Sequence, residues 1–369
     1  MNFDFSDEQK ELQTQARRFL SEQCPTSLVR EILEGDAPYA GNLWTGMAEM
    51  GFQGAAIPEE YGGVGYGYLE LCVIAEEIGR SVAPVPYSSS VYLAAEALLQ
   101  AGSEVQKEAY LPKIASGESI GTLALAEGIG RCTAENCQTT FEGGKVSGMK
   151  VPVADGDVAD FAVVVTRGGL VLVDLNGEGV SREAVTTVDP TRSHATITFS
   201  NAAGEALGDG GCEALDTILN RAAILMAFEQ VGGASVALEM SVGYSKERYA
   251  FGRAIGSFQG LKHKMADMYV KNELARSNAY YGAWALSADA PELPIAAAGA
   301  RVAASDAYLY AAKENIQIHG GIGFTWEYDA QFYYRRAKLL SLALESPMVW
   351  KDKLVSALES QHAASAAVN

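Results

Sequence analysis

The sequence predicts a mainly α-helical fold in three parts. These are an N-terminal helical domain (1–118), a small antiparallel β-barrel or sandwich in the middle (119–210) and a C-terminal four-helix bundle (211–369). Three observations predict it. Apolar residues recur at helical spacing through the first third. Near residue 119 the period shortens to that of strands, with Gly-Gly, Gly-Asp and Asn-Gly turns between short runs. From Glu213 onward helical spacing returns in long stretches with short connections.

In the first part, Ser6 and Gln9 make a capping-box pattern ahead of an apolar stripe of Leu12, Ala16, Phe19 and Leu20. "LWTGMAEMGF" and "YLELCVIAEEIGRS" read as further helices around the Pro/Gly loop "IPEEYGGVGYG". That loop is no G-x-G-x-x-G after a strand, so it does not point to a Rossmann unit. "SSSVYLAAEALLQAG" reads as a helix stopped at Gly102.

The middle part holds the β-rich runs "SIGTLALAE", "TTFEGGKVSG", "MKVPV", "DFAVVVTRGGLVLVDL" and "ATITFS". In the last part helices are expected over 214–249, 257–288, 295–319 and 329–360, followed by an alanine-rich tail expected to fray. Phe258, Leu261, Met265 and Met268 share one face of the second, and "DAPELP" breaks it from the third.

Of the 369 residues, 48% are hydrophobic and 20% charged, an ordinary globular balance. The net charge of −18 argues against nucleic acid or an anionic membrane surface as the main partner, because both need Lys/Arg clusters. The start, "MNFDFSDEQKEL", is acidic and lacks an apolar signal core, and no window of 18 uninterrupted apolar residues occurs. The five cysteines (Cys24, Cys72, Cys132, Cys137, Cys212) are widely spaced with no C-x-x-C, which suits reduced thiols and a cytoplasmic location. The four histidines are scattered, so no metal site is expected.

The order of parts, with three motifs, resembles the acyl-CoA dehydrogenase family over nearly the whole chain. "GFQGAAIPEEYGGVGYGYLELCVIAEEIGRS" and "YLPKIASGES" are similar to the family's N-terminal helical domain and its lead into the β domain. "YSKERYAFGRAIGSFQGLKHKMADM" is similar to its R-x-x-F-G-x-x-I-x-x-F-Q pattern, and "QIHGGIGF" to Q-x-x-G-G-x-G-F. The resemblance implies FAD-dependent α,β-dehydrogenation of an acyl-CoA thioester, with electrons passed to an electron-transfer flavoprotein. It implies a tetramer, of identical chains or of two related ones. A flavin oxidase or monooxygenase on the same fold is an alternative.

The site residues follow from the same motifs. Arg248 lies near a helix end, where a cation suits the dipole. The resemblance implies instead that Arg248 and Phe251 hold the adenosine-diphosphate half of FAD, with Gln259 nearby. Gly320 and Gly321 read as a helix stop, and lacking Cβ they also let a phosphate approach closely. In the family this loop, with Gln317, serves the FAD of a neighbouring subunit. His319 fills a variable position and is expected to be a solvated or capping residue.

Removing a weakly acidic α-proton requires a carboxylate beside Cα in a dry pocket, and donors for the thioester oxygen. In many family members the base is the Glu of Y-E-G-T, 27 residues after the motif's Gln. Counting from Gln317 gives Leu344, and Glu345 follows in "LALESPMVW". Glu345 is therefore the candidate base, one residue out of register and followed by Pro347. Some relatives place the base about 29 residues before the F-G pair. That position is Ala222 here, with Glu229 two turns on as a second candidate.

The β domain departs from the family as well. "AEGIGRCTAEN" stands for T-E-P-x-x-G-S-D: Glu127 is kept, Ala126 replaces the flavin-bonding Thr, and the Gly-Ser-Asp turn is missing. In certain bacterial relatives that handle steroid side chains, one chain supplies ring pocket and base. The other chain supplies only its Gly-Gly loop and Arg. This sequence fits the second role better than an average member of the family, beside the alternative of a self-sufficient homo-oligomer.

Overall fold

The computed structural model describes residues 5–131, 133 and 136–368, with side chains to Gln361. Cys132 lies outside them, as do Ala134 and Glu135, which fall in the stretch that replaces the family's Gly-Ser-Asp turn. The chain divides into two compact units. One joins residues 1–29, 72–83 and 223–369; the other joins 30–71 and 84–222.

The N-terminal third is helical, as the periodicity implies. α1 (Asp7–Gln23) carries the capping box, with Ser6 and Gln9 each bonding the other's backbone. α2 (Thr26–Glu34), α3 (Gly41–Glu49) and α4 (Tyr68–Ser81) follow. The run read as one helix up to Gly102 is in fact a π-helical stretch, Ser88–Ala95, that continues into α5 (Glu96–Ala101). α6 (Glu104–Ala115) closes this part.

The middle segment forms two open four-stranded sheets, not a closed barrel. Its strands are β1 (Gly121–Ala124), β2 (Thr140–Glu142), β3 (Lys145–Ala154), β4 (Phe161–Thr166), β5 (Gly169–Asp174), β6 (Val180–Ala184), β7 (His194–Ala203) and β8 (Glu205–Ala206). One sheet runs β1-β4-β5-β8 and the other β2-β3-β7-β6. All pairs are antiparallel except β1 with β4, which is parallel. β4 is buried along its whole length, which explains its unbroken Phe-Ala-Val-Val-Val reading.

The last part begins with α7 (Leu215–Glu247) and a two-residue-turn hairpin of β9 (Tyr249–Ala250) and β10 (Arg253–Ala254). α8 (Gln259–Ser287), α9 (Leu293–His319), α10 (Ala330–Leu342) and α11 (Pro347–Val368) follow. α7 is long and apolar enough to cross a membrane, but 72% of its most apolar window is buried inside the protein. α9 is the central helix, with α8, α10 and α11 packed on it. Its alanines at 296, 297, 298, 300, 304, 307, 311 and 312 are all buried, so the small residues lie on every side and not along one stripe. The expected fourth helix is two helices. Pro347 has no N–H to bond the preceding turn and instead starts α11 at its first position. α11 stays helical to Val368, where fraying was expected.

Residues 72–81 of α4 cross α7 inside the first unit at two glycines. A Cβ on Gly79 would stand 1.8 Å from the Glu229 carbonyl oxygen, and one on Gly232 would stand 2.0 Å from that of Glu76. Next to them Gly233 faces the ring of Tyr308, 2.4 Å from a Cβ position. The small residues around Ala227–Ala234 therefore admit a helix.

Candidate functional site

α7 ends in an exposed Arg248 whose backbone N–H bonds the Tyr244 carbonyl at 2.9 Å. Its guanidinium has no hydrogen bond or ion pair among the described residues. The chain then reverses through the β9–β10 hairpin. Phe251 (φ +53°) and Gly252 (φ +80°) occupy its turn, the paired positive values of a type I′ hairpin. The turn thrusts Phe251 into solvent at 95% exposure, edge-on to Phe258. Gln259 opens α8, exposed.

α9 ends at His319. Gly320 follows with φ +62° and its N–H bonds the Gln317 carbonyl, while the Gln317 side chain is exposed. A Cβ on Gly320 or Gly321 would meet nothing within 4 Å, so both face open space. Gly320 is favoured by its positive φ, and at both positions the missing Cβ leaves the backbone open to approach from outside.

Arg248, Gly320 and Gly321 line a single cleft of about 510 Å³ together with Tyr244, Ile255, Ile318, His319 and Ile322. Phe251, Gln259 and Gln317 are not among its lining residues. An unpaired guanidinium beside a loop with no side chains in the way fits a phosphate-bearing ligand such as the adenosine-diphosphate half of FAD.

His319 is not solvated. It is 3% exposed, stacked on Tyr244 at 4.3 Å and tilted against Tyr328 at 4.6 Å. Its Nδ1 lies 2.8 Å from the Asn315 carbonyl. Burial pulls its pKa below the usual histidine value, partly opposed by that bond.

Glu345 sits in the turn between α10 and α11, not on a helix face. Leu344 (φ +56°) and Glu345 (φ +77°) both adopt the left-handed region, a strain on the order of 1–3 kcal/mol each. Three contacts hold the turn. Arg301, buried on α9, donates to the carbonyls of Leu340 and Ala343 and capitalises on the negative end of α10. Trp350 Nε1 donates to the Leu344 carbonyl at 2.6 Å. Lys353 Nζ lies 3.4 Å from Glu345 Oε2, whose side chain is 8% exposed. Burial lowers the Arg301 pKa to about 9, with Glu229 opposing.

Glu229, the second candidate, is fully buried and paired with Arg336 at 3.4 Å; both side chains are 0% exposed. The pair lies in the core, and Glu229 is not among the residues lining the Arg248 cleft. Glu127 is also committed. It takes hydrogen bonds from Thr139 Oγ1 (2.6 Å), the Gln138 N–H (2.7 Å) and Lys150 Nζ (2.9 Å), and Cys137 Sγ lies at 3.0 Å. Burial raises its pKa, but those bonds outweigh it and leave the carboxyl well below its usual range. Ala126 offers only its carbonyl, to the Val151 N–H at 2.8 Å.

Sequence comparison carries this geometry to a family. Residues 6–118 match the acyl-CoA dehydrogenase N-terminal domain and residues 209–343 the acyl-CoA dehydrogenase C-terminal domain. Acyl-CoA dehydrogenase IpdE2 of Mycobacterium tuberculosis is 35% identical over 92% of this chain and 94% of its own. This chain belongs to the acyl-CoA dehydrogenase family. The members of that family are FAD-dependent oxidoreductases acting on acyl-CoA. Among solved structures, this dehydrogenase chain is similar to one titled Tcur3481-Tcur3483 steroid ACAD G363A variant. The TM-score is 0.89 and the identity 31%, over 97% of this chain and 99% of that one. The ChsE4-ChsE5 complex of Mycobacterium tuberculosis superposes equally well (TM-score 0.89), at 26% identity over 97% and 99%.

Proposed function

We propose that this chain is one subunit of a heterotetrameric acyl-CoA dehydrogenase and completes the FAD site of a related partner chain without supplying the base. The observation that carries the reading is the contrast between the two halves of the site. The Arg248–Gly320–Gly321 cleft is open and its guanidinium unpaired, whereas Glu345 is tied to Lys353 in a turn clamped by Arg301 and Trp350. The likeness to two solved proteins whose titles name a pair of chains supports the same reading.

In this role Arg248 pairs with a phosphate of the partner's cofactor, and the glycine loop lets that phosphate lie close to the backbone. Bound FAD would supply the acceptor for the hydride leaving Cβ. A ring-bearing acyl-CoA is the substrate class, since one of those relatives is titled a steroid enzyme. An electron-transfer flavoprotein is the proposed acceptor and the cytoplasm the proposed location. Free thiols at Cys24, Cys72, Cys137 and Cys212 suit that compartment.

Co-expression tests the reading. The chain with a second family member should reduce its flavin on addition of acyl-CoA, and Glu345→Gln in this chain should leave that reduction intact. Abolished reduction would make Glu345 the base and the chain self-sufficient. Oxygen consumption without an added carrier would favour an oxidase.

A further inference from the structure

His319 was expected to be solvated or a cap; it is not solvated, and its Nδ1 bonds a carbonyl in the last turn of its own helix. It is the last residue of α9, 3% exposed, and it is among the residues that line the cleft with Arg248. A carbonyl oxygen only accepts, so the 2.8 Å contact from Nδ1 to the Asn315 carbonyl requires the proton on Nδ1. Nε2 then carries a lone pair and can only accept. It is buried and has no partner among the described residues. A buried acceptor without a donor is rare and costly. The stack between Tyr244 and Tyr328 holds the ring against turning away.

The cleft thus pairs two unmet needs. Arg248 lacks an anion and His319 lacks a donor. A nucleotide offers both, through its phosphates and through a ribose hydroxyl or adenine amino group. We infer that His319 is a binding residue of this cleft, its Nε2 accepting a hydrogen bond from a hydroxyl or amino group of the nucleotide whose phosphate pairs with Arg248. This rests on the reading of the cleft as a nucleotide site. It adds a selectivity that the glycine loop and Arg248 do not provide, because those two recognise only the anion.

The test uses two probes, ADP and inorganic pyrophosphate, on the flavin-stripped complex of this chain with its related partner, followed by calorimetry. The wild type should bind ADP more tightly than pyrophosphate. His319→Phe keeps an aromatic ring in the stack and removes Nε2. It should weaken ADP about tenfold, roughly the worth of one hydrogen bond, and leave pyrophosphate unchanged. Arg248→Met should weaken both. Nitrogen-15 spectra of labelled histidine in the wild type give a second readout that needs no variant. His319 should show the Nδ1-protonated tautomer, with its Nε2 resonance moving on ADP addition and staying still with pyrophosphate.

Unchanged ADP affinity in His319→Phe, or an Nε2-protonated tautomer, would overturn the role of His319 while leaving the cleft as a nucleotide site. Equal weakening of both probes would make His319 a structural residue only. A wild type that binds neither probe would refute the nucleotide reading of the cleft, and this inference with it.

Discussion

Lys353 Nζ lies 3.4 Å from Glu345 Oε2 across the α10–α11 turn, and both side chains are largely buried. The pair means that the only carboxylate in that turn already has a cationic partner within its own chain. Losing a general base costs on the order of 10²–10⁴ in rate. In the assembled enzyme, Glu345→Gln should therefore stay within about twofold of the wild type, far from that range. Stopped-flow flavin reduction by acyl-CoA measures it directly.

Arg248→Met should leave the fold intact, because the guanidinium bonds nothing among the described residues. It should loosen FAD in the assembled enzyme by roughly tenfold to a hundredfold, the worth of a charge-assisted hydrogen bond of about 1.5–3 kcal/mol. Dilution followed by flavin fluorescence reads the loss. Unchanged retention would remove Arg248 from the cofactor site.

Gly232→Ala should destabilise the chain without touching the cleft. Its new Cβ would stand 2.0 Å from the Glu76 carbonyl, so α4 or α7 must move. Overpacking of this kind costs typically about 1–3 kcal/mol. The urea midpoint should fall at unchanged slope. A stability equal to wild type would mean the crossing is looser than these distances imply.

Arg336→Met should cost more, about 3–5 kcal/mol, because it leaves Glu229 charged and buried with its salt bridge gone. The double variant with Glu229→Leu should recover much of that loss. If the single variant were neutral, Glu229 would not be locking the core.

The pH response follows from His319. Its folded pKa is below that of the unfolded chain, so the unfolded state binds more protons as pH falls through about 6.5. Stability should be full above that pH and decline below it. His194, lowered mainly by burial, acts in the same direction. His319→Phe should flatten part of the slope in urea midpoints taken between about pH 7 and pH 5.5. An unchanged slope would mean that His319 binds protons equally in the folded and unfolded states.

The order of helices, sheets and helices was legible because hydrophobic period is a local signal, and long buried helices repeat it many times. Arg248, Gly320 and Gly321 were legible from motif spacing. Other features depend on tertiary context. The strained turn at Leu344–Glu345 hides in a continuous helical pattern, and only Pro347 marks it. The I′ hairpin at Phe251-Gly252 has a Phe where Asn or Asp would announce it. His319 looked exposed because a lone histidine at a helix end usually is; Tyr244 and Tyr328 bury it from positions far apart in sequence. At Gly232 and Gly233 the sequence does not reveal which neighbour uses the missing Cβ.

Flavin stoichiometry is the most direct test of whether this chain completes a site or owns one. The chain purified alone should be folded and colourless, and with its related partner it should carry one FAD per pair of chains. A yellow chain on its own, holding one FAD each and bleached by acyl-CoA, would contradict the account.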